Sequence, residues 1–227
     1  MFEIKLAGEN AIIIYFGEQS SPELAEKIAF YSEFLHDRLG ELIIEVVPSY
    51  TSTFISYDLS NCDYQTFCNL VSTSLAQAIF VNEEHAAEVI DIPVYYAEEV
   101  GLDLARMLTE KELSLAEFIN IHSQQTYLVY AIGFSPAFAF LAEVDERIQM
   151  PRLTTPRIQI PAGSVGIADN QTAVYPIESA GGWNIVGRTP IDLSLNDYSN
   201  LQRFKVGHQV KFKSIDRQAF LALGGRL

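Results

Sequence analysis

Pro151-Arg152-Leu153-Thr154-Thr155-Pro156-Arg157-Ile158-Gln159-Ile160-Pro161-Ala162-Gly163-Ser164-Val165-Gly166-Ile167-Ala168 is the stretch whose reading decides the fold. Proline and glycine recur through it, and between them lie short apolar-alternating pieces, Ile158 to Ile160 and Val165 to Ala168. The same texture extends outward in both directions. Upstream, Thr126 to Ile132 reads as a strand broken by Gly133-Phe134-Ser135-Pro136. Downstream come Thr172 to Tyr175, ended by Pro176, then Gly181-Gly182, Trp183 to Val186, and later Gln209 to Phe212. Many short strands separated by glycine and proline turns indicate a closed or nearly closed β-barrel.

Residues 101–123 precede this region and carry two helical patterns. Leu102, Ala105 and Met107 lie in the first, and Ser114 to Glu117 fits a capping box at the start of the second. His122 closes that helix just before a strand, a junction at which a side chain is expected to be aimed rather than packed. Further back, Phe2, Ile4 and Leu6 alternate with polar residues, Gly8-Glu9-Asn10 offers a turn, and Ala11 to Phe16 is a second strand. Ser21-Pro22 supplies a cap and a proline at the first helical position, and Gly40 ends the helix. Leu42 to Val47 and Thr53 to Tyr57 are two more strands, Asp63 caps a second helix, and Val89 to Val94 is read as a strand closing the unit. The expected class is α+β: a small N-terminal α+β sandwich over residues 1–84, bounded by Asn82-Glu83-Glu84, and a barrel over residues 85–227.

The chain has 227 residues, 48% of them hydrophobic, which excludes a disordered protein. Fifteen basic against 29 acidic residues give a net charge of −14 and a pI near 4.6. Such a surface repels phosphate backbones and anionic lipid, so neither nucleic acid nor membrane is an expected partner. Residues 1–123 carry 5 basic and 21 acidic residues, against 10 and 8 in residues 124–227. A solvated acidic face on the first half accounts for this, as does a small-anion site in the second. No basic start precedes an apolar run and no stretch of about 18 apolar residues occurs, so a cytoplasmic protein is expected. Cys62 and Cys68 read as free thiols, and no residue spacing suggests a metal site. His36, His85 and His208 read as surface histidines.

Three arginines stand out. Arg152 and Arg157 each follow a proline, and Arg188 follows the glycine-rich strand Gly181 to Gly187. A guanidinium fork binds carboxylate or phosphate bidentately, and stiff backbone lowers the entropy of aiming it. The other reading is that each arginine ties down loops through backbone carbonyls. The Gly163-Ser164 backbone could donate to an oxyanion. Ser164 lacks the nucleophile-elbow pattern, and Gly181-Gly182 lacks the lysine and hydroxyl of a phosphate loop.

The runs Tyr130 to Pro136, Pro151-Arg152, Pro156-Arg157, Ile160 to Val165, Tyr175-Pro176 and Gly181 to Thr189 together resemble the 5-oxoprolinase B-subunit family, also known as the kinase-inhibitor or allophanate-hydrolase subunit 1 type. Gly8 to Ala11, Ile92 to Tyr95, Asp103-Leu104 and His122 with Tyr127 extend the likeness more weakly. The resemblance implies a cyclophilin-like barrel for the second domain. It also implies a cytoplasmic complex with homologues of the 5-oxoprolinase C and A components, which opens 5-oxo-L-proline to L-glutamate at the expense of ATP. The chain would then be an enzyme component working only with its partners, since no ATP-binding motif is visible in it. A branch of the family instead inhibits a sensor histidine kinase, which is the alternative reading. Relatives also occur in urea-processing enzymes.

A lactam carbonyl is a poor electrophile, and phosphoryl transfer to its oxygen would make water attack feasible. On this reading Arg157 and Arg188 hold carboxylate or phosphoryl oxygens, with Arg152 as helper. His122 carries a proton near its ordinary pKa of about 6.5, and Gly163 and Ser164 donate to developing charge. Gly133, Pro136, Pro161, Gly181, Gly182 and Trp183 are expected to shape the loops, turning Arg157, Arg188 and His122 toward one concave surface. Ala137 and Ala180 stand where the family has glycine and proline. If the family glycine has positive φ, Ala137 would shift its loop at a cost of order 1 kcal/mol.

Overall fold

Alternation in the first sixteen residues produces the expected hairpin, β1 (Glu3–Gly8) and β2 (Ala11–Tyr15), in a computed structural model that describes residues 2–80 and 89–227. The chain divides into two compact units, Met1–Ala86 and Ala87–Leu227. The expected boundary at Glu84 and the lone His85 lie outside the described residues.

In the first unit, α1 (Pro22–Leu39) starts where Ser21 Oγ accepts the Leu24 N–H at 3.1 Å, with Pro22 in its first turn. β3 (Ile43–Ser49), β4 (Ser52–Tyr57) and α2 (Tyr64–Gln77) follow, the last capped by Asp63. The antiparallel sheet has the order β1-β2-β4-β3, so Pro48 sits on an edge strand, where its missing N–H is tolerated. One sheet face presents Ile12, Ile14, Ile55 and Tyr57, all fully buried, to Leu35 of α1 and to Phe67, Val71 and Leu75 of α2. Tyr57 stacks on Phe67 with centroids 4.3 Å apart, and the Ser32 and Thr53 hydroxyls share a buried hydrogen bond of 2.9 Å between α1 and β4.

The second unit begins with β5 (Val89–Tyr95), α3 (Leu104–Glu110), α4 (Leu115–Gln124), β6 (Thr126–Ile132) and β7 (Ala139–Ala142). It continues with β8 (Arg157–Ile160), β9 (Ser164–Ala168), β10 (Gln171–Val174), β11 (Ser179–Gly181), β12 (Asn184–Arg188), β13 (Gln209–Ile215) and α5 (Arg217–Ala222). Seven strands close a barrel in the order β10-β7-β6-β13-β5-β12-β9, while β8 and β11 form a separate two-stranded sheet. The α+β class and the barrel therefore stand. The strand at Val89 does not close the N-terminal unit: it pairs in parallel with β13, from Val89↔Gln209 to Tyr95↔Ile215. Its alternating pattern reports a half-buried strand but carries no record of a partner so distant in sequence. At α4 the capping box is complete, with Ser114 Oγ accepting the Glu117 N–H and the Glu117 carboxylate accepting the Ser114 N–H at 2.9 Å.

At the Ser135-Pro136-Ala137-Phe138 turn, the Phe138 N–H donates to the Ser135 carbonyl at 3.1 Å and Ala137 has φ 62°. A turn with proline second and a left-handed residue third is of the type that favours glycine at that third place. Ala137 occupies this left-handed position at a strain of order 1 kcal/mol. Gly133 flanks it, its N–H donating to the Phe138 carbonyl. No helix among the described residues is long and apolar enough to cross a membrane.

Glycine is required where β12 crosses β5: a Cβ on Gly187 would lie 2.8 Å from the Tyr95 carbonyl oxygen and 2.9 Å from Val94 Cγ1. Gly187→Ala is expected to destabilise the protein by about 1–3 kcal/mol, the usual range for overpacking. Urea denaturation checks this as a lower midpoint with an unchanged slope.

Candidate functional site

Arg157, at the start of β8, points into the protein. Its two terminal nitrogens each donate at 2.8 Å to the Asp103 carboxylate, which is only 3% exposed. That carboxylate also accepts the Ile185 N–H at 2.8 Å and Arg106 Nη2 at 3.4 Å. Arg106 reaches on to Asn184 Oδ1, and Asn184 Nδ2 donates to the carbonyls of Pro151 and Ile167. One buried anion thus joins the start of α3 to β8 and β12. The terminal nitrogens of Arg157 are thus engaged with a carboxylate of the fold, where the sequence reading expected them on a reacting group.

His122 is fully buried. Nδ1 lies 2.7 Å from the Tyr96 hydroxyl and Nε2 lies 3.0 Å from Thr172 Oγ1, while the ring stacks on Phe212 at 4.6 Å. The Tyr127 hydroxyl donates to the His122 carbonyl. Burial pushes the imidazole pKa down to about 3, so the ring is neutral at pH 7. Where the sequence reading expected a side chain aimed rather than packed, the ring is packed, with both nitrogens engaged inside the core. The helical pattern through Phe118, Ile121 and His122 was the available sign that this residue lies on the packed face of α4.

Arg188, at the end of β12, has a different environment. Nε donates to the Ala162 carbonyl at 2.8 Å and Nη1 to the Arg226 carbonyl at 2.9 Å. Arg188 faces a cavity of about 380 Å³ walled by Ala162-Gly163, Ile177-Glu178, the 189–196 loop and the 224–226 tail. Burial first, and then the Arg226 guanidinium, hold Arg188 below its usual pKa, against the opposing pull of Glu178. Neither arginine forms a direct ion pair among the described residues, although two carboxylates share this wall, Glu178 acting on Arg188 and Asp192 interacting with Arg226. A half-buried guanidinium of that kind favours an anion that can restore the lost solvation.

Of the residues expected to converge, only Arg188 and Gly163 line this cavity. Gly163 serves by shape. Its φ is +80°, and a Cβ there would lie 2.6 Å from the Thr189 carbonyl oxygen. The expected N–H donors are spent: Gly163 donates to the Tyr175 carbonyl at 2.8 Å and Ser164 to the Pro161 carbonyl at 3.2 Å. Ser164 is itself buried. Arg152 is exposed, with its guanidinium 5.9 Å from the centroid of the buried Trp183 ring. Gly182 accepts the Leu153 N–H at 2.7 Å, and a side chain on Gly181 would collide with the Tyr175 hydroxyl and Ile160. Pro136 and Pro161 shape the turns already described. His208, expected at the surface, is half-buried with its Nδ1 enclosed. Among the described residues no cluster of three or more His, Cys, Asp or Glu side chains could hold a metal.

At this cavity the N–H groups of Gly163, Thr189, Gly224 and Gly225 are already paired with carbonyls, and the Glu178 and Asp192 carboxylates share its wall, which disfavours a polyphosphate there. The sequence reading missed Arg226, which follows Gly224-Gly225 much as Arg188 follows Gly187. It also missed Tyr96 and Thr172, ordinary strand-region residues that acquire meaning only around His122.

A closed seven-stranded barrel with an arginine-walled cavity, sharing its chain with a small α+β unit, defines a two-unit α+β barrel protein. Residues 2–200 match the model of the family described as carboxyltransferase domain, subdomain C and D. The chain is 33% identical to the 5-oxoprolinase B-subunit of Bacillus subtilis (strain 168), over 97% of its own length and 96% of that protein. To the 5-oxoprolinase B-subunit of Escherichia coli O157:H7 it is 40% identical over 48% of this chain and 50% of that one. The chain belongs to the carboxyltransferase domain C and D family, and within it to the 5-oxoprolinase B-subunit family.

Among solved structures, TTHA0988 is similar with a TM-score of 0.78 and 29% identity over 90% of this chain, which spans 40% of that longer one. PH0987 of Pyrococcus horikoshii gives 0.57 and 37% over 96% of this chain and all of that one. Urea carboxylase of Kluyveromyces lactis, at 15% identity and a TM-score of 0.73, covers 97% of this chain and 22% of that protein, and shares the fold.

Two measurements test these placements. The His122 imidazole is expected to show no NMR titration between pH 5 and 8. Because its folded pKa lies below its unfolded one, the unfolded chain takes up the extra proton. Stability from this group is therefore present above pH ~6.5 and lost as pH falls toward about 3, with a slope approaching about 1.4 kcal/mol per pH unit. Asp103→Ala leaves Arg157 without its anion, while Arg106 keeps Glu110, and is expected to cost about 3–5 kcal/mol in chemical denaturation.

Proposed function

We propose that this chain is the B component of an ATP-dependent assembly that opens 5-oxo-L-proline to L-glutamate in the cytoplasm, with homologues of the A and C components as partners. The observation that carries this reading is the end-to-end correspondence with a 5-oxoprolinase B-subunit, over 97% of this chain and 96% of the relative. The cavity at Arg188 supports it, because the substrate is a small organic acid whose carboxylate needs a cation in a partly dry site.

In this reading the chain binds and orients. Arg188 takes the substrate carboxylate, and the carbonyls of Ala162 and Arg226 hold the guanidinium so that little freedom is lost on binding. Gly163 lets the backbone turn tightly beside it. Arg157 and His122 act at one remove, Arg157 by fixing β8 through Asp103 and His122 by holding α4 to the barrel strands. The nucleotide is held by a partner protein.

Reconstitution with A-component and C-component homologues is expected to yield ATP-dependent release of glutamate from 5-oxo-L-proline that disappears when this chain is omitted. Arg188→Ala should lower the rate by about 10²–10³ if the charge acts on the reacting complex. An intact assembly carrying that variant at full rate would exclude Arg188 from the site.

A further inference from the structure

We infer that Arg226, carried on a glycine-turned C-terminal strap, is the second arm of a two-guanidinium clamp that closes with Arg188 on the carboxylate of an organic acid. The inference rests on the anion-binding reading of the cavity given above and adds a ligand-contacting residue and a moving part.

The first ground is an incomplete fork. Arg188 spends Nε and one Nη1 hydrogen on the carbonyls of Ala162 and Arg226, so its Nε edge is closed to bidentate capture and only Nη hydrogens remain for a carboxylate. The second is a further guanidinium at the same wall. Arg226 lines the cavity without a direct ion pair among the described residues, and its guanidinium is near enough to oppose the charge on Arg188 as well as to favour the ionised Asp192 carboxylate. Two like charges brought together by the chain repel, and an anion between them reverses the sign of that interaction.

The third ground is the way the strap is held. After α5 the Gly224 N–H donates to the Leu221 carbonyl and the Gly225 N–H to the Phe220 carbonyl, with Gly224 at φ +89°. This is the helix-ending motif that glycine favours, and it turns the chain back toward the cavity. Gly225 then lies flat on Phe220, where a Cβ would be 2.5 Å from ring carbon Cζ. Past that point the backbone contact holding residue 226 at the wall is its carbonyl on Arg188. Arg188 therefore both anchors the strap and meets the ligand, so strap position and ligand binding are linked.

The walls select the ligand. Pro176, Ile177, Pro190, Ile191 and Leu193 offer apolar surface to a compact carbon body, and Glu178 and Asp192 disfavour a polyanion. A monocarboxylate with a small apolar frame fits this better than free phosphate.

Calorimetric titration of the full chain, alone and in the reconstituted assembly, tests the clamp with three probes: 5-oxo-L-proline, 2-pyrrolidinone and inorganic phosphate. Wild type is expected to bind the first and to ignore 2-pyrrolidinone, which lacks the carboxylate. Arg226→Gln, at an exposed position, should leave the melting temperature unchanged and weaken binding by about tenfold or more, the worth of a charge-assisted hydrogen bond. Gly225→Val, which pushes the strap off Phe220 with the guanidinium intact, should weaken it similarly. Loss of binding in Arg188→Gln with none in Arg226→Gln would overturn the clamp and leave the cavity reading standing. Wild-type affinity in both variants, or no binding of any probe to wild type, would overturn both. Tighter binding of phosphate than of 5-oxo-L-proline would overturn the ligand class.

Discussion

A single buried carboxylate organises the second unit. Asp103 is almost out of reach of water, yet its oxygens receive hydrogen bonds from Arg157, Arg106 and the Ile185 N–H. An isolated carboxylate could not be buried in this way, because the desolvation cost would drive it to take up a proton. Here every donor comes from a different part of the chain, so the charge is tolerable only when α3, β8 and β12 stand in their native relation. The Asp103 N–H also donates to the Ile185 carbonyl, which ties the same two segments by backbone as well as side chain. Specificity of arrangement, more than net stabilisation, is what such a centre supplies.

That constraint sorts the arginines. Arg157 has found its counter-ion within the fold, Arg152 lies over Trp183, and Arg188 hydrogen-bonds to neutral carbonyls beside a cavity. The distinction is electrostatic and follows from what surrounds each guanidinium. A cation paired with a buried carboxylate has its solvation replaced once and for all. One held by carbonyls keeps its net charge available to a visitor. The strand β12 links the two cases, since Asn184 and Ile185 at its start join the Asp103 network and Arg188 at its end reaches the cavity.

Local chemistry in the chain was enough to recover most of the backbone. Ser21, Asp63 and Ser114 announce their helices because a cap is a contact within three residues. Proline and glycine mark strand ends for the same short-range reason. Partner choice is another matter. Val89 to Val94 looks alike whether its neighbour is a hairpin strand or β13, and Ser179-Ala180-Gly181 carries no strand pattern, being shaped by β8 across from it. Candidate side chains suffered most. Arg157 and His122 are residue types suited to catalysis, and the order of residues cannot show that Asp103 and the Tyr96–Thr172 pair have claimed them. Gly163 was found for its place in the site, but its N–H was already committed to Tyr175.

The parallel pairing of β5 with β13 also governs how the barrel comes into being. One partner is the first strand of its unit to leave the ribosome and the other the last, with nearly the whole unit between them. Until the second arrives, the edge of β5 is without that neighbour, and closing so long a loop has an entropic cost that local contacts cannot offset. The barrel thus cannot close until the last of its strands is available, and its first strand keeps an open edge until then.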